Sequence, residues 1–136
     1  MRTVAQRLFA HEAKGLRRSA SSVPTVLRVC ERLRPELASL VGDTGVQALY
    51  MRALALAGAQ VDWLRAIRVG ADGRLEGFEG AETPVEPDEV SAGGVALLAE
   101  LLALLAAFVG VPLTLRIVRE QWPRLALKDL DRNKRN

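Results

Sequence analysis

One long apolar segment constrains this chain more than any other feature. From Gly93 to Leu115 it reads GGVALLAELLALLAAFVGVPLTL, with one charged residue, Glu100, and one proline, Pro112. About 20 apolar residues are enough to cross a bilayer, but helices of this hydrophobicity also lie buried at the centre of soluble bundles. The fold of the rest of the chain depends on whether this segment spans a membrane or lies at the centre of a bundle.

The side chains of this segment are sorted by size around the helix. At 100° per residue the bulky ones fall within an arc of about 160°, and the small ones lie opposite. The bulky residues are Leu97, Leu98, Leu101, Leu102, Leu104, Leu105, Phe108 and Val109, and the small ones are Ala96, Ala99, Ala103, Ala106, Ala107 and Gly110. This sorting favours a helix packed on both sides, although small faces also pair helices inside membranes.

A membrane protein with a single span at residues 95–115 is the alternative, located in an inner membrane. Glu100 would cost about 2.5–3 kcal/mol near the bilayer centre, which the leucines can offset. However, the preceding residues would have to cross the membrane, and they contain a basic block and no export signal. They also contain helix faces that need a core to pack on. We therefore favour a buried central helix at residues 92–110 in a cytoplasmic protein.

The composition predicts a mostly α-helical fold. Leucine and alanine dominate the apolar residues, whereas only 4% of residues are aromatic. Leucine and alanine favour helices, whereas aromatic and β-branched residues favour strands. We expect one helical domain over residues 1–136, a bundle of about five helices. A short β-hairpin near 67–78 and a helix end followed by a loop are equally compatible with the turn pair Asp72-Gly73.

Glycines, prolines and capping residues predict the helix boundaries. Gly42 ends one helix, and Asp43 or Thr44 caps the next, whose apolar face runs to Ile67 as one long helix. Ser91 is predicted to cap the central helix. Two prolines bound the last helix, which Pro112 begins and Pro123 ends.

The charge is unevenly distributed along the chain. Residues 1–34 have a net charge of +6 and residues 112–136 of +4, whereas residues 70–111 have −7. We expect an acidic mobile loop at 77–90 and a basic C-terminal tail at 128–136. The pattern is typical of complementarity within the chain or between copies. Arginine greatly outnumbers lysine, which is typical of a GC-rich bacterial coding bias.

Catalytic, cofactor-binding and metal-binding residues are not predicted. His11 and Cys30 are the single histidine and the single cysteine, too few for a usual zinc site. A Cys–His pair is a nucleophile arrangement, but Cys30 shares an apolar helix face with Val26, Leu33 and Leu37. We therefore place Cys30 in the core, and His11, beside Glu12, on a polar surface.

The predicted function is non-enzymatic and depends on protein–protein interaction, as an adaptor, regulatory or structural subunit. The partner is another protein or a homo-oligomer, and no small-molecule substrate or cofactor is evident. The candidate partner-binding residues are Arg116, Arg119 and Trp122, since tryptophan and arginine are favoured at interface centres. A position in the core is the alternative for Trp122. A nucleic-acid-binding module that uses the basic N-terminal helices is a second alternative. Nucleic acid is the less favoured partner, because aromatic residues do not alternate with the basic ones.

Overall fold

The computed structural model describes residues 1–19, 25–71, 73–77 and 87–125, and within these ranges the protein is mostly helical. Its α-helices are α1 (Arg2–Ser19), α2 (Thr25–Gly58), α3 (Pro87–Val109) and α4 (Val111–Gln121). A 3-10 helix (Asp62–Ala66) follows α2, and β1 (Arg68–Val69) pairs antiparallel with β2 (Leu75–Glu76). The predicted all-α fold is confirmed, with four helices in these ranges in place of about five. Of the two alternatives left open near 67–78, the structure has the short hairpin.

The difference in helix number comes from α2, which has two arms. Gly42 has φ 76° and ψ 168° and separates residues 25–41 from residues 43–58. Essentially only glycine adopts this backbone conformation, because a Cβ atom would clash with the backbone. The two arms contact each other, since the Tyr50 hydroxyl donates a hydrogen bond of 2.8 Å to the carbonyl oxygen of Cys30. The helix end predicted at Gly42 is correct in position, since the backbone leaves the helical conformation there.

The apolar segment forms the central helix of the fold. α3 packs against α1, α2 and α4. One turn in the middle of α3 is buried around its whole circumference, as shown by four consecutive residues that are at most 8% exposed: Ala96, Leu97, Leu98 and Ala99. The predicted packing on both sides is confirmed for this turn. In the second half Leu101 is buried while Ala103 and Ala107 are exposed, so the small face is uncovered there.

Two glycines near the start of α3 explain how closely its neighbours approach. A Cβ atom on Gly93 would overlap the indole ring of Trp63, and one on Gly94 would overlap the ring of Phe9. The Trp63 indole N–H also donates to the carbonyl oxygen of Glu89 at 2.9 Å. The 3-10 helix and α1 therefore both pack closely against α3 at these two glycines.

Several predicted boundaries are wrong. The helix after Gly42 ends at Gly58 and does not continue to Ile67, which lies beyond the 3-10 helix and is buried. α3 begins at Pro87 rather than at Ser91, because proline is tolerated at the first helical position. Residues 87–90 of the predicted acidic loop are thus helical. Residues 78–86 and the predicted basic tail lie outside the described residues.

The end of the apolar segment is also interrupted. Gly110 has φ 95° and separates α3 from α4, so residues 95–115 do not form one continuous helix. Pro112 lies in the first turn of α4, and the helix ends before Pro123, as predicted. Within the described ranges, Glu89–Val109 is long and apolar enough to cross a membrane by length and composition, and half of its most apolar window is buried inside the protein.

Candidate functional site

The cysteine and the histidine do not form an exposed reactive pair. Cys30 is 3% exposed, and burial, with a smaller contribution from the Glu31 carboxylate, raises the pKa of its thiol to about 12. A thiol with this pKa is protonated at neutral pH, and the thiolate is the reactive form. His11 is half-buried and lines a surface cleft on α1. The core location predicted for Cys30 is confirmed.

The three candidate partner-binding residues occupy different environments. Trp122 is 1% exposed, at the C-terminal end of α4. Arg116 and Arg119 are exposed on α4, and the Arg116 Nε donates to Glu120 Oε1 at 3.0 Å. The structure therefore separates the buried indole ring from the two surface arginines. A partner contact of Arg116 and Arg119 stays a prediction.

Trp122 instead belongs to a polar network, which we call the Glu12 network, formed with Glu12, Arg28 and Arg32. The indole N–H of Trp122 donates to Glu12 Oε1, and Arg32 Nη1 donates to the same oxygen at 2.9 Å. Arg28 Nε lies 3.7 Å from Glu12 Oε2. The Glu12 side chain is 7% exposed, so the polar surface predicted beside His11 is wrong at Glu12.

Arg32 connects this network to the end of α4. Its Nη2 donates to the carbonyl oxygen of Gln121 at 2.7 Å, and its guanidinium carbon lies 5.0 Å from the centre of the Trp122 ring. The Gln121 side chain donates to Glu36 Oε1 at 3.0 Å. A carbonyl at a helix C-terminus has no intrahelical partner, and Arg32 supplies one. These contacts join α1, α2 and α4, which indicates a structural role for the network.

An apolar groove, the α2–α3 groove, lies between α2 and the end of α3. It has a volume of about 560 Å³ and is lined by Leu40, Val41, Gly45, Ala48, Leu49, Arg52 and Phe108. Phe108 is 68% exposed and Leu40 is 44% exposed. Arg52 is the one charged residue among these lining residues, and its aliphatic stem is compatible with an apolar wall. The sequence indicated the bulky arc that contains Phe108, but not that α2 leaves it uncovered.

A second depression lies beside the hairpin. Its volume is about 640 Å³, and its walls come from the second arm of α2, the 3-10 helix and β1. Met51 is 54% exposed at its edge, whereas Leu64 and Ile67 are buried beneath it. Two arginines, Arg65 and Arg68, also line it, so it is less uniformly apolar than the α2–α3 groove.

A third feature, the cationic cleft, lies between α1 and the residues that follow α4. Its volume is about 300 Å³ and it is lined by Arg7, Ala10, His11, Lys14, Arg124 and Leu125. Sequence reasoning identified the basic character of the N-terminal helices. It missed Arg124, because nothing in the local pattern shows that the end of α4 returns to α1.

Metal binding has no support in the described part of the chain, where no three His, Cys, Asp or Glu side chains come together as a possible site. No protein-family model, curated protein or solved structure matches the chain. The function must therefore be inferred from the surface features described above.

Proposed function

We propose that this protein acts by protein–protein interaction, without enzymatic activity, and that a second copy of the chain binds at the α2–α3 groove. The observation that carries the proposal is Phe108, an aromatic side chain that is 68% exposed at the edge of an apolar groove. Contiguous exposed apolar surface marks interaction sites in proteins. Aromatic side chains are also enriched at interfaces relative to the rest of the surface.

A second copy is the favoured occupant because the groove and a side chain suited to fill it belong to the same surface. In a two-fold symmetric contact, one surface patch meets the identical patch of the partner. The Phe108 ring of each copy would then enter the groove of the other, near Leu40 and Leu49. One patch supplies both halves of this contact.

The neighbouring surface of α3 supports a helix as the contacting element. Ala103 and Ala107 form one exposed row at i and i+4, and Leu104 and Phe108 form the adjacent row. The distance between two packed helices depends on the size of the side chains between them. Small residues beside Phe108 would therefore let the same helix of the second copy lie close.

Sedimentation velocity over a wide range of protein concentration tests this proposal. We expect the unmodified chain to dimerise and Phe108→Glu to sediment as a folded monomer, because a carboxylate cannot be desolvated in the apolar groove. Met51→Glu is the matched control, since Met51 is 54% exposed but lies at the other depression. A chain that stays monomeric at every concentration, or equal effects of the two variants, would contradict the proposal.

We also propose that α3 is the core helix of a cytoplasmic protein rather than a membrane span. The burial of residues 96–99 supports this role, as does Glu100, which accepts a hydrogen bond of 2.9 Å from the Gln60 side chain. Cell fractionation without detergent tests it, and we expect the protein in the supernatant after high-speed centrifugation. Recovery from detergent-solubilised membranes alone would favour the span.

A further inference from the structure

We infer that the cationic cleft binds a phosphate group. The cleft shares no lining residue with the α2–α3 groove, so this inference does not depend on self-association. Three of its lining residues, Arg7, Lys14 and Arg124, are positively charged at neutral pH, and His11 adds an imidazole. None of its lining residues in the described part of the chain is acidic.

The helical spacing places the α1 residues on one side of the helix. Arg7, His11 and Lys14 are separated by four and three positions, so their side chains follow one another along the same face. Arg124 comes from the opposite end of the sequence. The backbone N–H of Leu125 donates to the carbonyl oxygen of Trp122 at 3.0 Å, and this turn lies next to α1.

The Glu12 network holds the two walls of the cleft together. Glu12 follows His11 on α1, and its carboxylate accepts the hydrogen bond from Trp122, two residues before Arg124. Both Glu12 and Trp122 are buried, at 6% and 1% exposure. The cationic side chains therefore project from a backbone whose position is determined by packing. Binding groups that are positioned before the ligand arrives lose less entropy on binding.

The electrostatics of the cleft favour an oxyanion. Positive charges that line the same small cleft repel one another, and an anion bound in the cleft adds an attraction to each of them. A guanidinium group offers paired N–H donors that match two oxygens of a phosphate, and a lysine ammonium group acts as a point charge. The volume of about 300 Å³ is at the lower end for small-molecule sites, which suits a phosphate group with a small substituent.

The phosphate can belong to a soluble phosphate ester or anhydride or to an anionic lipid headgroup. Ala10 and Leu125 give the cleft an apolar portion beside its charges. Either source would place its oxygens against the cations and its remaining atoms against this apolar portion. The two sources differ in whether a membrane surface is needed for binding.

Nuclear magnetic resonance titration of the full isotope-labelled chain tests the inference. The soluble probes are inorganic phosphate and pyrophosphate, with chloride at matched ionic strength as the reference. The lipid probe is phosphatidylglycerol vesicles, compared with phosphatidylcholine vesicles in a flotation assay. We expect saturable shifts at α1 and around Arg124 with a soluble probe, or flotation with the anionic vesicles alone.

Charge-reversal variants locate the site. Lys14→Glu and Arg124→Glu should each weaken binding roughly tenfold or more, as expected when a charge-assisted hydrogen bond is lost. Arg68→Glu is the control, since it makes the same change in net charge at an exposed residue outside the cleft. Circular dichroism of each variant verifies folding. Retained binding in both cleft variants, or equal weakening by Arg68→Glu, would overturn the site.

The probes also separate the sources. A saturable response to pyrophosphate assigns a soluble ligand, and flotation with phosphatidylglycerol alone assigns a lipid headgroup. Absence of both responses overturns the inference. Binding to random-sequence DNA alone, with the steep salt dependence of many phosphate contacts, also overturns it, because that behaviour belongs to a nucleic-acid surface rather than to one phosphate site.

Discussion

The Glu12 network allows a sharp test of what holds α4 against α1. Glu12→Gln and Glu12→Leu both remove the negative charge, but they differ in one respect. Glutamine keeps a carbonyl oxygen in the place of Glu12 Oε1, which accepts from both Trp122 and Arg32. Leucine keeps an apolar side chain of similar size without an acceptor. The difference in the free energy of unfolding between the two variants therefore measures how much the acceptor oxygen stabilises the protein.

The magnitudes follow from the burial of each partner. The Arg28 and Arg32 side chains are 54% and 44% exposed, so solvent screens their attraction to the carboxylate. Glu12→Gln should therefore lower the free energy of unfolding by only about 1 kcal/mol. Glu12→Leu also leaves the Trp122 indole N–H, in a residue 1% exposed, without its acceptor. An unsatisfied buried donor adds about 1–3 kcal/mol, for a total of roughly 2–4 kcal/mol.

Urea unfolding, followed by far-UV circular dichroism and tryptophan fluorescence, gives these free energies. The transition midpoint should fall in the order wild type, Glu12→Gln, Glu12→Leu, with an unchanged dependence on urea concentration. In the Trp122→Phe background the two Glu12 variants should become more similar, since the donor is then absent. Added salt should reduce the difference between wild type and Glu12→Gln, because it screens the partly exposed arginines.

One result would refute this reasoning. If Glu12→Leu is as stable as Glu12→Gln, the buried indole N–H does not need the Glu12 oxygen. The network would then contribute through the charge alone. If the two variants differ by the same free energy in the Trp122→Phe background, their difference does not come from the indole N–H, and the reasoning also fails.

Four other predictions concern packing. Leu101→Ala should lower the free energy of unfolding by about 2–5 kcal/mol in urea titrations, because Leu101 is 1% exposed, and a near-neutral result would contradict its central location. Gly94→Ala should lower the melting temperature through overlap with Phe9, and an unchanged value would mean that the ring moves freely. Cys30 should react with a thiol reagent slowly when native and fast in denaturant, and Cys30→Ala should cost about 1 kcal/mol; rapid native labelling would contradict the core location. Ala103→Leu should leave the melting temperature unchanged, because Ala103 is exposed. The larger side chain should shift the equilibrium toward the monomer in sedimentation. A lower melting temperature would instead mean that another part of the same chain packs on Ala103.

Local sequence patterns are enough to predict the helical fold and most of the buried helix faces. The periodicity of Val26, Cys30, Leu33, Leu37 and Leu40 predicted one apolar face. The first four are buried, whereas Leu40 is 44% exposed beside the α2–α3 groove. Gly42 marked a break that the structure has at that position, and Pro112 lies in the first turn of α4, as predicted. These properties depend on backbone dihedrals and on side chains a few positions apart, so the local sequence contains the information.

Which polar groups are buried and which apolar groups are exposed depends on the tertiary structure. Glu12 resembles a surface residue in its own helix, and it is buried because Trp122, 110 positions away, supplies a donor. Phe108 belongs to the same bulky arc as Leu101, yet it is exposed because α2 leaves a groove beside it. Arg124 lies beside the basic face of α1 because the chain after α4 returns to α1. Burial depends on which segments meet in space, and helical periodicity gives the direction of a face without naming the segment that covers it.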